Sequence, residues 1–146
     1  MQQYKYGDIT HKIIGSAMKV HSQLGNGFQE KIYQRALEIE MQKEGLEFAR
    51  EFEMPVRYDD QEIGERRVDF FVEDKVMVEI KAINALEDIH LAQAKNYLEA
   101  YNIDVGLLIN FGERSLKFKR IFHNPKNQTN QKSDKSLNPD NPGSDY

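Results

Sequence analysis

The segment Val76-Met77-Val78-Glu79-Ile80-Lys81-Ala82 places a carboxylate and an ammonium two residues apart inside an apolar run. A strand alternates faces at every residue, so Val76, Val78 and Ile80 share one face and Met77, Glu79 and Lys81 the other. Burying such charges is costly unless they are paired or bind a metal. A plain Glu79–Lys81 ion pair on a half-exposed strand would satisfy that demand. The preceding segment, Arg67-Val68-Asp69-Phe70-Phe71-Val72, changes the picture. A turn over Glu73-Asp74-Lys75 pairs Val72 with Val76 and sets Asp69 opposite Glu79 on the same face. Directly opposed carboxylates repel. A divalent cation between them removes the penalty, and hard oxygen donors suit magnesium or manganese rather than zinc or copper. A loop one residue longer or shorter would turn Asp69 to the other face and dissolve the cluster.

Two helical segments add candidates. Gln93 and Tyr97 lie four apart after the lysine strand and project from one face, with His90 on that face too. A glutamine amide and a phenol can orient a phosphate or a metal ligand. Taken singly, Tyr97 reads as a half-buried core aromatic and His90 as a capping residue. In Gly27-Phe28-Gln29-Glu30-Lys31-Ile32-Tyr33, Glu30 precedes the core-facing Tyr33 and Leu37 by three and seven residues. That spacing directs Glu30 inward, as a dipole partner at the helix start or as a third metal ligand.

The elements that must hold these residues follow from hydrophobic period. Ile9, Ile13, Ala17, Val20 and Leu24 mark a helix over Asp8–Leu24, broken by Gly25-Asn26-Gly27. Tyr33, Ala36, Leu37 and Met41 mark a second, about Phe28 to Glu44, stopped by Gly45. The period then becomes two. Strands are expected at 48–58, 62–72 and 76–82, with Pro55 confining the first to an edge or a bulge. A third helix spans 87–101, and two more strands occupy 104–110 and 116–122. The order α-α-β-β-β-α-β-β predicts an α/β fold, a mixed central sheet flanked by helices.

Composition sets outer limits. The 146 residues suit one domain, and 39% hydrophobic with 30% charged residues suits a single core under a solvated surface. With no cysteine, disulfides and thiolate-bound zinc are excluded. No apolar run reaches the ~18–20 residues of a membrane span, and the first residues lack the apolar stretch of a signal peptide. A cytoplasmic location without membrane attachment is expected. The net charge of −4 argues against a broad basic surface for nucleic acid, though not against a local basic groove. Residues 125–146 are almost wholly polar, with Leu137 the single aliphatic, and read as a disordered tail. The expected division is therefore a domain over 1–124 and a tail over 125–146.

Asp69, then Glu79-Ile80-Lys81, then Gln93-Ala94-Lys95-Asn96-Tyr97, resembles the active-site series of PD-(D/E)XK nucleases, in particular the RecB-like branch. Gly27 to Tyr33 matches the Gly-x-x-Glu-x-x-Tyr signature of the bacterial GxxExxY proteins, members of that superfamily. The resemblance spans about residues 8–124. The eponymous proline is absent, Val68 standing before Asp69. The resemblance implies a restriction-endonuclease-like core and magnesium (or manganese) held by Asp69, Glu79 and the backbone carbonyl of Ile80, with Glu30 completing the shell. It implies Lys81 acting on the attacking water and Gln93 and Tyr97 positioning the phosphate or the lysine. The implied activity is phosphodiester hydrolysis, with nucleic acid, DNA before RNA, as partner, and leaves room for a homodimer. The alternative is a non-catalytic nuclease-fold module that binds a partner protein or a nucleic-acid end.

Overall fold

A computed structural model describes residues 4–123; the tail assigned to 125–146 lies outside them. Among the described residues the elements are α1 (Gly7–Leu24), α2 (Glu30–Lys43), β1 (Phe48–Tyr58), β2 (Gln61–Val72), β3 (Val76–Lys81), α3 (Asp88–Tyr101), β4 (Val105–Asn110) and β5 (Lys117–Phe122). The strands form one sheet in sequence order, β1-β2-β3-β4-β5. Every neighbouring pair is antiparallel except β3 and β4, which run parallel across the α3 connection. The sheet is therefore mixed, as the element order predicts. No helix among the described residues is long and apolar enough to cross a membrane.

The two faces of the sheet carry separate cores. On one, Ile13, Ala17 and Val20 of α1 and Tyr33, Leu37 and Met41 of α2 pack against Phe70, Val72, Val76, Val78, Ile80, Val105, Leu107 and Ile109. On the other, Ala94 and Leu98 of α3 pack against Met54, Val68, Met77 and Ile121. The fit under α3 is close: a Cβ on Gly106 would stand 3.0 Å from a Leu98 methyl. β3 and β4 are the central strands, and β4 is buried along its whole length, as expected of a parallel pair covered on both faces.

Local chemistry ends the elements where the composition suggests. Gly45 adopts φ 76, and the amides of Gly45 and Leu46 bond back to Gln42 and Met41 carbonyls, closing α2. Asp59-Asp60 and Glu73-Asp74 each take two consecutive left-handed conformations, the backbone of tight hairpin turns. Pro55 sits in β1, which is an edge strand, and the β1–β2 register shifts between Val56 and Arg57.

The β1–β2 hairpin swaps faces partway along. Phe48 and Phe70 belong to the α1/α2 core, whereas Met54 and Val68 belong to the α3 core. The pairs Arg50↔Phe70 and Phe52↔Val68 bracket Glu51 and Asp69, which do not pair. Glu51 has φ 55, a left-handed conformation that a side-chain-bearing residue adopts only at some cost. The strands rotate there, and the rotation sets the position of the candidate site.

Candidate active site

β2 and β3 pair at Phe70↔Val78, Phe71↔Met77 and Val72↔Val76, the register that the three-residue turn predicts. The ladder stops there. At the next position Asp69 uses its side chain in place of its backbone: Oδ2 accepts from the Ile80 amide at 2.8 Å. Oδ1 accepts from Gln34 Nε2 of α2 at 2.9 Å. The carboxylate thus sits at the opening between β2 and β3, held from the strand on one side and the helix on the other. Asp69 is therefore not the simple cross-strand neighbour of Glu79 that strict alternation predicts. The two carboxylates still share one electrostatic environment, since Asp69 raises the pKa of Glu79.

Glu79 projects from β3 on the α3 side and is 6% exposed. Burial pushes its pKa from the ordinary 4.5 to about 7; Arg66 opposes the rise, Asp69 adds to it, Lys81 opposes it and Glu30 adds to it. Burial likewise raises Asp69, against the Ile80 amide, the Gln34 amide, Arg66 and Lys81. Two carboxylates are held in a setting where ionisation is disfavoured and the nearby cations do not fully compensate.

The ion-pair partner of Glu79 is Arg66, not Lys81. Arg66 Nη2 donates to Glu79 Oε2 at 3.0 Å. Its guanidinium carbon lies 4.4 Å from the centre of the Tyr97 ring, in cation–π contact. Lys81 ends β3 half-buried and acts on both carboxylates through its charge, with no ion pair of its own among the described residues. Tyr97 therefore reaches the site through Arg66. Gln93, one turn earlier on α3, is exposed. His90 belongs to the start of α3: its Nδ1 accepts from the Glu87 amide at 2.9 Å in a capping box, the structural role open to it from sequence.

Glu30 departs from expectation. It is the first residue of α2 and is exposed, not inward-facing. Tyr33 and Leu37 are fully buried as predicted, but the first turn of α2 overhangs the end of the core. Glu30 contributes its charge to the field at Glu79. Among the described residues no three His, Asp or Glu side chains converge as a ready-made metal group. The side chains that could hold a metal are thus Asp69 and Glu79, and the Ile80 carbonyl, Glu30 or water would have to complete a shell. That donor set is all oxygen and fits magnesium or manganese.

The motif tyrosine is a brace. Tyr33 donates to the Gly25 carbonyl at 2.6 Å, accepts from the Phe28 amide at 3.1 Å and stacks on Phe111 with ring centres 4.6 Å apart. It thereby fixes the loop that leads into Glu30. A second brace secures the exit from Lys81. Asn110 is fully buried; its Oδ1 accepts from the Ile83 and Gly112 amides, and its Nδ2 donates to the Ile83 carbonyl and to Glu113 Oε2. Gly112 packs so closely on this turn that an added Cβ would overlap the Ile83 backbone and lie 2.6 Å from the Ala82 carbonyl carbon.

Two residues of the site escape the sequence reading. Gln34 holds Asp69, and its signal was its place four residues after Glu30 on the same helix face. Arg66 holds Glu79, yet strict alternation puts it, three residues before Asp69, on the opposite face; only the rotation at Glu51/Asp69 brings it round.

The family model described as the PD-(D/E)XK nuclease superfamily matches residues 7–121. No curated protein matches. Among solved structures, the crystal structure of SSO0001 is similar over 88% of this chain and 86% of that one, at 14% identity and a TM-score of 0.41.

Proposed function

We propose that this chain, which belongs to the PD-(D/E)XK nuclease superfamily, hydrolyses phosphodiester bonds in DNA, with Asp69, Glu79 and Lys81 as its catalytic core. The observation that carries the proposal is the carboxylate pair, Glu79 buried and Asp69 half-buried, each raised in pKa by desolvation, with Lys81 two residues after Glu79 on β3. Such a pair is costly on its own and suits a divalent cation. Asp69, Glu79 and the Ile80 carbonyl would hold magnesium or manganese, with Glu30 at the rim, and the ion would supply Lewis acidity toward the phosphate and acidify a water.

The remaining roles fall to the chain's own groups. Gln34 and the Ile80 amide fix the Asp69 carboxylate so that it need not reorganise when ligand arrives. Lys81 makes no ion pair among the described residues; its ammonium would orient the attacking water, and as the neutral amine the same nitrogen would take that water's proton. Tyr97 supports Arg66, and Gln93, exposed one turn earlier on α3, would meet the incoming strand. At a finer level, Gly27, Glu30 and Tyr33 support the GxxExxY family of the RecB-like branch, acting in the cytoplasm.

The test is incubation of the full chain with labelled single-stranded, duplex and branched DNA, and with RNA, in magnesium or manganese. Cleavage of at least one DNA, lost in chelator and in Lys81→Ala, is expected. Binding of nucleic acid without cleavage of any substrate would replace this reading with a non-catalytic nuclease-fold module.

A further inference from the structure

Arg66 is an unusual partner for Glu79. Its guanidinium carbon lies 4.4 Å from the Tyr97 ring centre, its Nη1 donates to the Arg67 carbonyl at 3.3 Å, and it meets Glu79 through Nη2 alone. Its Nε is buried and has no hydrogen-bond partner. A buried N–H without a partner is costly. Nε and Nη2 form the side-on edge of a guanidinium, the edge that grips two oxygens of a phosphate at once. Here half of that edge is engaged, by one oxygen of a carboxylate assigned above to a divalent cation.

The Arg66 guanidinium on Glu79 Oε2 and a divalent cation ligated by the same carboxylate repel one another. Release of Arg66 would leave the guanidinium on its aromatic support, at the rim of the site, with its side-on edge vacant. Its side chain is 32% exposed, against 7% for Glu79, so it has an outward path. We infer that Arg66 is a transferable cation: it neutralises Glu79 while the site is empty, and when a divalent cation takes Glu79 it turns its Nε/Nη2 edge to a phosphate of the bound strand. The inference rests on the reading of Asp69 and Glu79 as metal ligands, and it adds a residue that contacts a phosphate of the bound strand.

Two measurements on the full chain test it. The first is calorimetric titration with magnesium alone, compared at the high-pH plateau of each protein so that protonation of Glu79 does not enter. Arg66→Gln removes the competing charge and should bind magnesium about tenfold more tightly, while Arg66→Lys keeps the charge and should stay at the wild-type value. An unchanged or weaker affinity in a folded Arg66→Gln protein would overturn the inference. The second is binding of a labelled duplex with a single-stranded tail, in the Lys81→Ala background to prevent cutting. In magnesium, Arg66→Gln should weaken binding and flatten the log K against log[salt] line by about 0.7–0.9, one phosphate contact. In chelator, where Arg66 is occupied by Glu79, the substitution should leave the slope unchanged. Equal losses in both conditions, or no loss in either, would overturn the transfer. Failure of the Arg66-intact protein to bind magnesium would instead remove the metal-site reading itself, and this inference with it.

Discussion

Replacing Glu79 by glutamine keeps the shape of the side chain and removes the charge that burial most disfavours. In the metal-free protein its effect on stability should depend on pH in a defined sense. The Glu79 carboxyl has a pKa near 4.5 when the chain is unfolded and about 7 when folded. The folded state therefore binds the proton more tightly, and the stability from the neutral carboxyl is fully present below pH 4.5 and is lost as pH rises through 7. At 1.36 kcal/mol for each pH unit between those values, the loss is about 3 kcal/mol. Glutamine does not titrate, so the variant should equal wild type near pH 4 and exceed it by up to about 3 kcal/mol at pH 8. That figure already includes the Arg66 pair, whose charge holds the Glu79 pKa down. Urea unfolding of both proteins from pH 4 to pH 8, in chelator, reads the difference directly. The opposite result at pH 8, a variant weaker by the 3–5 kcal/mol expected when one partner of a buried pair is stranded, would show that Glu79 is there to hold Arg66 in the fold.

Lys81→Ala should abolish cleavage in the DNA panel while magnesium affinity by calorimetry changes little, because Lys81 is assigned to the water and not to the ion. Gly112→Ala forces a Cβ into the Ile83 backbone and should destabilise the chain by about 3 kcal/mol in urea unfolding, since neighbouring backbone cannot yield as a side chain can. A loss under 1 kcal/mol would mean that the 82–83 turn is looser than described. Tyr33→Phe leaves the Gly25 carbonyl and the Phe28 amide without their shared partner. It should cost about 1–3 kcal/mol by the same assay, with the Phe111 stacking retained.

Much of the framework was readable because burial imposes a period. The core face of α1 through Ile13, Ala17 and Val20, that of α2 through Tyr33, Leu37 and Met41, and the alternation of β3 all follow from which residues must leave water. The β2–β3 register followed from a three-residue turn, and the pairs 70–72 with 76–78 agree with it. The detail of Asp69 did not follow, because a period-two reading assumes that a strand keeps its faces. The left-handed Glu51 on the neighbouring strand turns the hairpin at that point, and no property of Asp69 itself announces it. Arg66 was hidden by the same rotation. Glu30 was misdirected by extending the helical face of Tyr33 and Leu37 one turn beyond the end of the core. Local pattern thus located the carboxylates, while the partners that hold them, Gln34 and Arg66, depend on how α2 and the hairpin meet the sheet.

The central claim is that Asp69 and Glu79 together hold a divalent cation. Its most direct test is a crystal structure of the full chain soaked in manganese, read by anomalous scattering. The expected result is a peak ligated by Asp69, Glu79 and the Ile80 carbonyl, with the Arg66 guanidinium no longer on Glu79. Soaked crystals with no peak at these carboxylates, and Arg66 still paired with Glu79 at high manganese concentration, would contradict it.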